Sequence, residues 1–121
     1  MYNTAAERSI CLSIDQNVRS GIRVLVLGGE IDADTVGLLR EAMRIDGRES
    51  SKLVLDLGAV TFLDSSAINV LALANRHATA AGGWLRMAAL TSPVQRVVEL
   101  VGLDTIIMCY PTLPEALADA V

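Results

Sequence analysis

The sequence holds one histidine, His77, and two cysteines, Cys11 and Cys109. That scarcity removes most zinc sites and most histidine-dependent catalysis. Two thiols far apart in sequence make no disulfide framework, so a cytoplasmic protein with reduced, buried cysteines is expected. Aromatics are equally scarce. Tyr2, Phe62, Trp84 and Tyr110 make up 3% of the chain, too few and too scattered for a base-stacking platform. Positive charge is short as well. Ten Lys+Arg against 14 Asp+Glu leave a net charge of −4, with no basic stripe for a nucleic-acid backbone. Long apolar runs are missing too. The longest stretch free of Asp, Glu, Lys and Arg, Ser65–Asn75, is about half the ~20 residues of a spanning helix. Residues 1–8 lack the apolar core of a signal peptide. No nucleic acid, membrane, metal or cofactor is expected as a partner.

What is present is apolar matter. Hydrophobic residues make up 52% of 121, enough for one packed domain and too much for disorder. The expectation is a short tail over 1–8 and one domain over 9–121.

Hydrophobic period switches along the chain between two and 3.6. Ser9–Asp15 alternates and reads as a strand. Asn17–Gly21 reads as a turn, and Ile22–Leu27 as a β-branched strand ended by Gly28-Gly29, so the pair predicts a hairpin. Ala33–Ile45 carries Val36, Leu39 and Met43 on one helical face. Asp46–Ser51 reads as a loop. Leu53–Leu57 is short and nearly all apolar, as a central strand should be. Ser65–Ala81 reads as a helix closed by Gly82-Gly83, and Trp84–Ala88 as a strand. Ser92 and Pro93 mark a helix start, with Ser92 as cap, running to about Val101 and stopping at Gly102. Thr105–Cys109 reads as the last strand and Leu113–Asp119 as a terminal helix. The order β-β-α-β-α-β-α-β-α predicts an α/β domain. Its sheet should be mixed and mostly parallel, with an antiparallel hairpin at its N-terminus and about four helices.

One segment, Leu53–Leu71, carries more than fold. A strand leads through Phe62-Leu63-Asp64-Ser65-Ser66 into a helix, so Ser65 sits at or beside the helix N-terminus, where free N–H groups favour an anion. The plainer interpretation is that Asp64 or Ser65 only caps the helix. At 100° per residue, Ala67, Val70, Leu71, Ala74, Ala78 and Ala81 gather on a core side. Ser65, Asn69, Ala72 and Arg76 form a stripe opposite, a candidate docking face. Ile68 and Leu73 flank it. Ile68 is either a partly exposed apolar anchor or, with Leu73, a widening of the core face.

Ser65 as an enzyme nucleophile lacks a base. His77 lies roughly 18 Å further along the same helix at 1.5 Å per residue. Lys52, the only lysine, opens the preceding strand at its far end. No phosphate-binding glycine loop with its lysine is present. Asp32 and Asp64 as a cation pair would be weak evidence of a site. His77 reads as a surface or half-buried helix residue, and Trp84 as packing.

The residues Gly29-Glu30-Ile31-Asp32, Leu55-Asp56-Leu57, Val60-Thr61-Phe62-Leu63-Asp64-Ser65-Ser66 and Val101-Gly102-Leu103-Asp104 resemble the STAS domain family. Within it, the chain is most similar to bacterial anti-sigma factor antagonists, over about Ser9–Ala118. The run Ser92–Leu103 is similar to the family's third helix. The resemblance implies partner switching. The unmodified antagonist binds an anti-sigma factor, itself a serine kinase of the GHKL ATPase type, and a sigma factor is freed. The kinase phosphorylates the first serine of Asp-Ser-Ser, which matches Ser65, and a serine phosphatase restores it. The resemblance also places Asp32 near that serine. With the helical stripe, it gives a partner face of Asp32, Asp64, Ser65, Ser66, Ile68, Asn69, Ala72 and Arg76. The family usually carries glycine after Asp-Ser-Ser, where this chain has Ala67. A phosphate adds about −1.5 to −2 charges. The helix N-terminus would stabilise it, while a partner shaped for neutral serine beside Asp32 and Asp64 would be repelled. Two other roles fit the same family: a subunit of a larger transport or sensory assembly, and a nucleotide-binding STAS module.

Overall fold

The computed structural model describes residues 11–44 and 50–118. The expected tail over 1–8, the strand start at Ser9 and Ile10, most of the Asp46–Ser51 loop, the helix end at Ile45 and Asp119 lie outside the described residues. Five strands form one mixed sheet in the order β1-β2-β3-β4-β5: β1 Leu12–Arg19, β2 Ile22–Ile31, β3 Lys52–Leu63, β4 Trp84–Ala88 and β5 Met108–Tyr110. β1 pairs antiparallel with β2, and every later pairing is parallel. Four helices alternate with these strands: α1 Val36–Ala42, α2 Ser65–Ala80, α3 Ser92–Val101 and α4 Leu113–Leu117, with a short 3-10 turn at Leu103–Thr105.

The hairpin closes more tightly than its composition predicts. Arg19 pairs with Ile22, and only Ser20 and Gly21 turn, at φ 52° and 79°. Two successive positive φ values give the twist that matches strands leaving a two-residue loop.

Alternation along the strands divides the core in two. Leu25, Leu27, Leu53, Leu55, Leu85 and Met87 face α1, α2 and α3, and meet Leu39, Leu71, Val94 and Val98 there. Ile22, Val24, Val54 and Ala88 face the other way and meet Ala116 of α4, with Trp84 and Tyr110 alongside. Sequential parallel strands joined by crossovers of one hand put successive helices on one face. The short α4 is therefore what covers the second face among the described residues. Arg86 holds it. Its guanidinium lies 3.7 Å from the Trp84 ring centre and 5.5 Å from that of Tyr110. It also donates to the carbonyls of Ala116 and Ala118 at 3.0 and 3.3 Å. Across the sheet, buried Arg23 does the same for α1, donating to Ala42 O at 2.6 Å and Arg44 O at 3.0 Å. Both arginines satisfy carbonyls that a helix C-terminus leaves open.

Three strands run further than expected, β1 passing Asp15 to end at Arg19. β2 does not stop at Gly28-Gly29 but passes through both to Ile31. Gly29 has φ 103° and lies against the Cys11 backbone, where any Cβ would overlap the carbonyl. The glycines let the strand bulge and continue, with register shifts between Val26 and Gly28 and between Gly29 and Glu30. β3 likewise extends beyond Leu57 to Leu63.

Smaller corrections follow similar logic. α1 spans only Val36–Ala42, because Asp32–Thr35 is a turn preceding it. Ala81 is an exposed C-cap rather than a core residue. Thr91, not Ser92, is the cap of α3, with Ser92 and Pro93 as its first two residues. The Thr91 hydroxyl instead donates to Val60 O at 2.6 Å, tying α3 to β3. β5 covers Met108–Tyr110, since Thr105 closes the 3-10 turn and Ile106 follows it. Cys11 is exposed and Cys109 half-buried, so neither is the buried thiol expected.

Candidate functional site

The extended parts of β2 and β3 build the site. Their parallel ladder ends with Ile31 paired to Leu63, and the Asp64 N–H donates to Ile31 O at 3.2 Å. Asp32 and Asp64, the next residue on each strand, therefore stand side by side at the carboxyl edge of the sheet. That edge is where open α/β sheets present loops and helix starts to ligands and partners.

Each carboxylate is committed locally through one oxygen. Asp64 is the N-cap of α2, and its Oδ1 accepts from the N–H of Ser66 at 2.9 Å and of Ala67 at 3.3 Å. Asp32 Oδ1 accepts from the N–H of Asp34 at 2.9 Å and of Thr35 at 3.1 Å. Thr35 is the hub beneath it. Only 2% exposed, its hydroxyl donates to Glu30 O at 2.9 Å and accepts from Asp32 N–H at 3.0 Å. The turn that carries Asp32 is thus locked to the end of β2.

Ser65 is the first helical residue and is exposed; Ser66 is half-buried. The helix start is less open to an anion than its sequence implies, because Asp64 already occupies two of its N–H groups. Along α2, Asn69 and Arg76 are exposed with Ser65. Ile68 and Ala72 are half-buried and pack against the main core. Ile68 thus widens the core face, whereas Leu73 is 45% exposed. Ala72 departs from the outward stripe, because the covered arc of α2 leans toward its Ile68 side. The structure brings Asp32, Asp64, Ser65 and Ser66 together at one edge and runs Asn69 and Arg76 away from it.

Two residues of this neighbourhood escaped sequence reasoning. Thr35 had no signal beyond its spacing from Asp32. Phe62, one residue from the strand end, is 47% exposed beside the Asp64 turn. An apolar residue inside a strand motif reads as core, and only the shifted register turns it out. Chemically, the edge offers an accessible hydroxyl next in sequence to one carboxylate, with a second at the end of the neighbouring strand. Among the described residues, no group of three His, Cys, Asp or Glu side chains is placed to hold a metal. No helix there is long and apolar enough to cross a membrane.

Comparison with known proteins bears on this arrangement. The sequence profile of the STAS domain matches residues 13–116. The chain belongs to the STAS domain family. This STAS domain is 35% identical over 99 residues to the anti-sigma-F factor antagonist RsfB of Mycobacterium tuberculosis, covering 81% of this chain and 80% of that one. It is 28% identical over 110 residues to the anti-sigma F factor antagonist of Paenibacillus polymyxa, covering 89% and 94%. Among solved structures, an anti-sigma factor antagonist from Mycobacterium paratuberculosis superposes with a TM-score of 0.79 at 31% identity. That match covers 88% of this chain and 91% of that one. The five-stranded mixed sheet and helices of this STAS domain are the architecture expected for the family.

Proposed function

We propose that this STAS domain is an anti-sigma factor antagonist. It binds an anti-sigma factor that is a serine kinase of the GHKL type and frees a sigma factor. Phosphorylation of Ser65 switches it off, and a serine phosphatase reverses this. The observation that carries the reading is Ser65 itself. It is an exposed hydroxyl at the first position of α2, on an edge where Asp32 and Asp64 already concentrate negative charge. The relatives named as antagonists supply the partner class.

The physics of the switch is local. A phosphate adds about −1.5 to −2 charges at neutral pH. Asp64 holds the Ser66 and Ala67 amides, so the phosphate projects outward instead of settling on the helix terminus. A partner surface shaped for a neutral hydroxyl then meets a third negative group and loses both complementarity and desolvation balance. Asn69, Arg76 and Phe62 extend the contact on either side. No change of fold is required.

Incubation with the cognate kinase and ATP should add one phosphate, by intact mass, to the wild type and none to Ser65→Ala. Ser65→Ala should bind that kinase like the wild type, and Ser65→Glu should not. Equal binding by Ser65→Glu, or phosphate retained in Ser65→Ala, would sink the proposal.

A further inference from the structure

Away from the Ser65 edge, α1 and α2 leave a groove of about 330 Å³ between them. Its floor is apolar: Met43 of the turn after α1, with Val70, Leu73 and Ala74 of α2. Val70, Leu73, Ala74 and His77 follow the i, i+3, i+4, i+7 spacing of one helical face. The groove is therefore about 10 Å long at 1.5 Å per residue. Its rim is basic. The one carboxylate on it, Glu41, is paired with Arg44 at 2.7 Å. Arg40 and His77 make no side-chain hydrogen bond or ion pair among the described residues. An arginine without an ionic partner among the described residues, beside an apolar trough, stands out on a chain whose net charge is −4.

We propose that this groove binds one amphiphilic anion, an unbranched acyl chain ending in a carboxylate. The chain lies along Met43, Val70, Leu73 and Ala74, and the carboxylate meets the Arg40 guanidinium, which matches it in a two-pronged geometry. Size decides between this occupant and a helix of another protein. The volume is at the lower end of small-ligand sites. Four apolar side chains fall well short of the roughly 800 Å² per partner of a standard protein interface. None of the groove residues belongs to the Ser65 edge, so occupancy is tested apart from the function proposed above.

The test is a titration of the full chain, isotopically labelled at methyl groups, with decanoate and dodecanoate below their micelle concentrations. Saturable shifts are expected at Met43, Val70, Leu73 and Ala74. Dodecanoate should bind no more than a few-fold tighter than decanoate, because decanoate already spans a floor about 10 Å long. Arg40→Glu and the milder Arg40→Gln, both at an exposed position, should weaken binding by about tenfold or more. Dodecanol and dodecyltrimethylammonium separate charge from chain. Equal binding of either one overturns the proposal, as does saturation mapping to other residues or no saturable binding. An 18-residue amphipathic Leu/Glu helix that fills the groove when dodecanoate does not would assign it to a protein partner instead, and overturn it equally.

Discussion

Replacing Asp64 with alanine tests the double use of one carboxylate. In the folded domain its Oδ1 accepts two α2 amides, at 2.9 and 3.3 Å. The first is near the ideal length and the second is long, so the cap is worth less than two full bonds. Loss of an N-cap costs about 0.5–2 kcal/mol, and a negative charge at a helix N-terminus contributes about 0.3–1 kcal/mol. Asp64→Ala should therefore lose about 1.5 kcal/mol. Asp64→Asn keeps an acceptor oxygen and should lose only about 0.5 kcal/mol. At roughly 4 °C per kcal/mol for a domain of this size, the midpoints should fall by about 6 °C and 2 °C. Thermal unfolding followed through Trp84, the only tryptophan, reads both. The variant also changes what phosphate does. With Asp64 in place, phosphoserine incorporated at position 65 should leave the midpoint nearly unchanged or slightly lower. In Asp64→Ala the Ser66 and Ala67 amides are released, and the same phosphate should raise the midpoint by taking them. If Asp64→Ala unfolds within about 0.3 kcal/mol of the wild type, or phosphate acts alike in both backgrounds, the cap argument is wrong.

Three other perturbations address the scaffold. Arg86→Ala removes two charge-assisted bonds to α4 and the stacking on Trp84 and Tyr110; a loss of about 2–3 kcal/mol and a changed Trp84 emission are expected, and Arg86→Lys should rescue little of it. Gly29→Ala places a Cβ on the Cys11 carbonyl at φ 103°, so thermal unfolding should show a loss of about 2–4 kcal/mol, whereas Gly82→Ala, with open space around it, should lose about 1 kcal/mol. Burial, then Asp104 and Glu99, push the Cys109 thiol above its ordinary 9.0. The native state thus holds its proton after the unfolded chain has released it. The corresponding stability is intact below pH 9 and declines as the pH rises beyond it. Cys109→Ser should lack that alkaline decline in denaturant titrations. For the same reason iodoacetamide at pH 8 should label exposed Cys11 well before Cys109, as peptide mass spectrometry would show.

Element type was legible wherever the apolar period was regular. The helices starting at Ser65 and stopping at Gly102 needed only their spacing and punctuation. What escaped was set by contacts between distant segments. Gly28-Gly29 resembles a strand end because glycine weakens strands in isolation. In the fold it is the residue type that lets β2 continue against the Cys11 backbone. In the second half of β3 the buried residues are Leu57, Val60 and Leu63, a spacing that matches neither a strand nor a helix period. It arises from the two register shifts against β2, which no single-segment pattern can encode. The capping of α3 failed for a related reason. Thr91 and Ser92 are equally good caps locally, and the Thr91 hydroxyl is drawn away to Val60 O. The aspartates of the site were visible as residues, but their adjacency follows from those same extensions.

That dependence has a functional consequence. Had β2 ended at Gly28 and β3 at Leu57, Asp32 and Asp64 would hang on separate loops, free to move apart when a charge appeared between them. The ladder from Gly29–Val60 through Ile31–Leu63 fixes them at strand spacing instead. Thr35 below Asp32 and Ala67 below Ser65, the latter with no exposed surface, close the remaining freedom. The helix start cannot relax inward, because its interior side is packed, nor reorganise its cap without losing the Asp64 bonds. In the proposed switch, the free energy of a phosphate on Ser65 is therefore expressed against whatever is docked on the edge. Under the proposed function, rigidity at this edge would turn a one-residue modification into a change of partner affinity, with the fold itself left as it was.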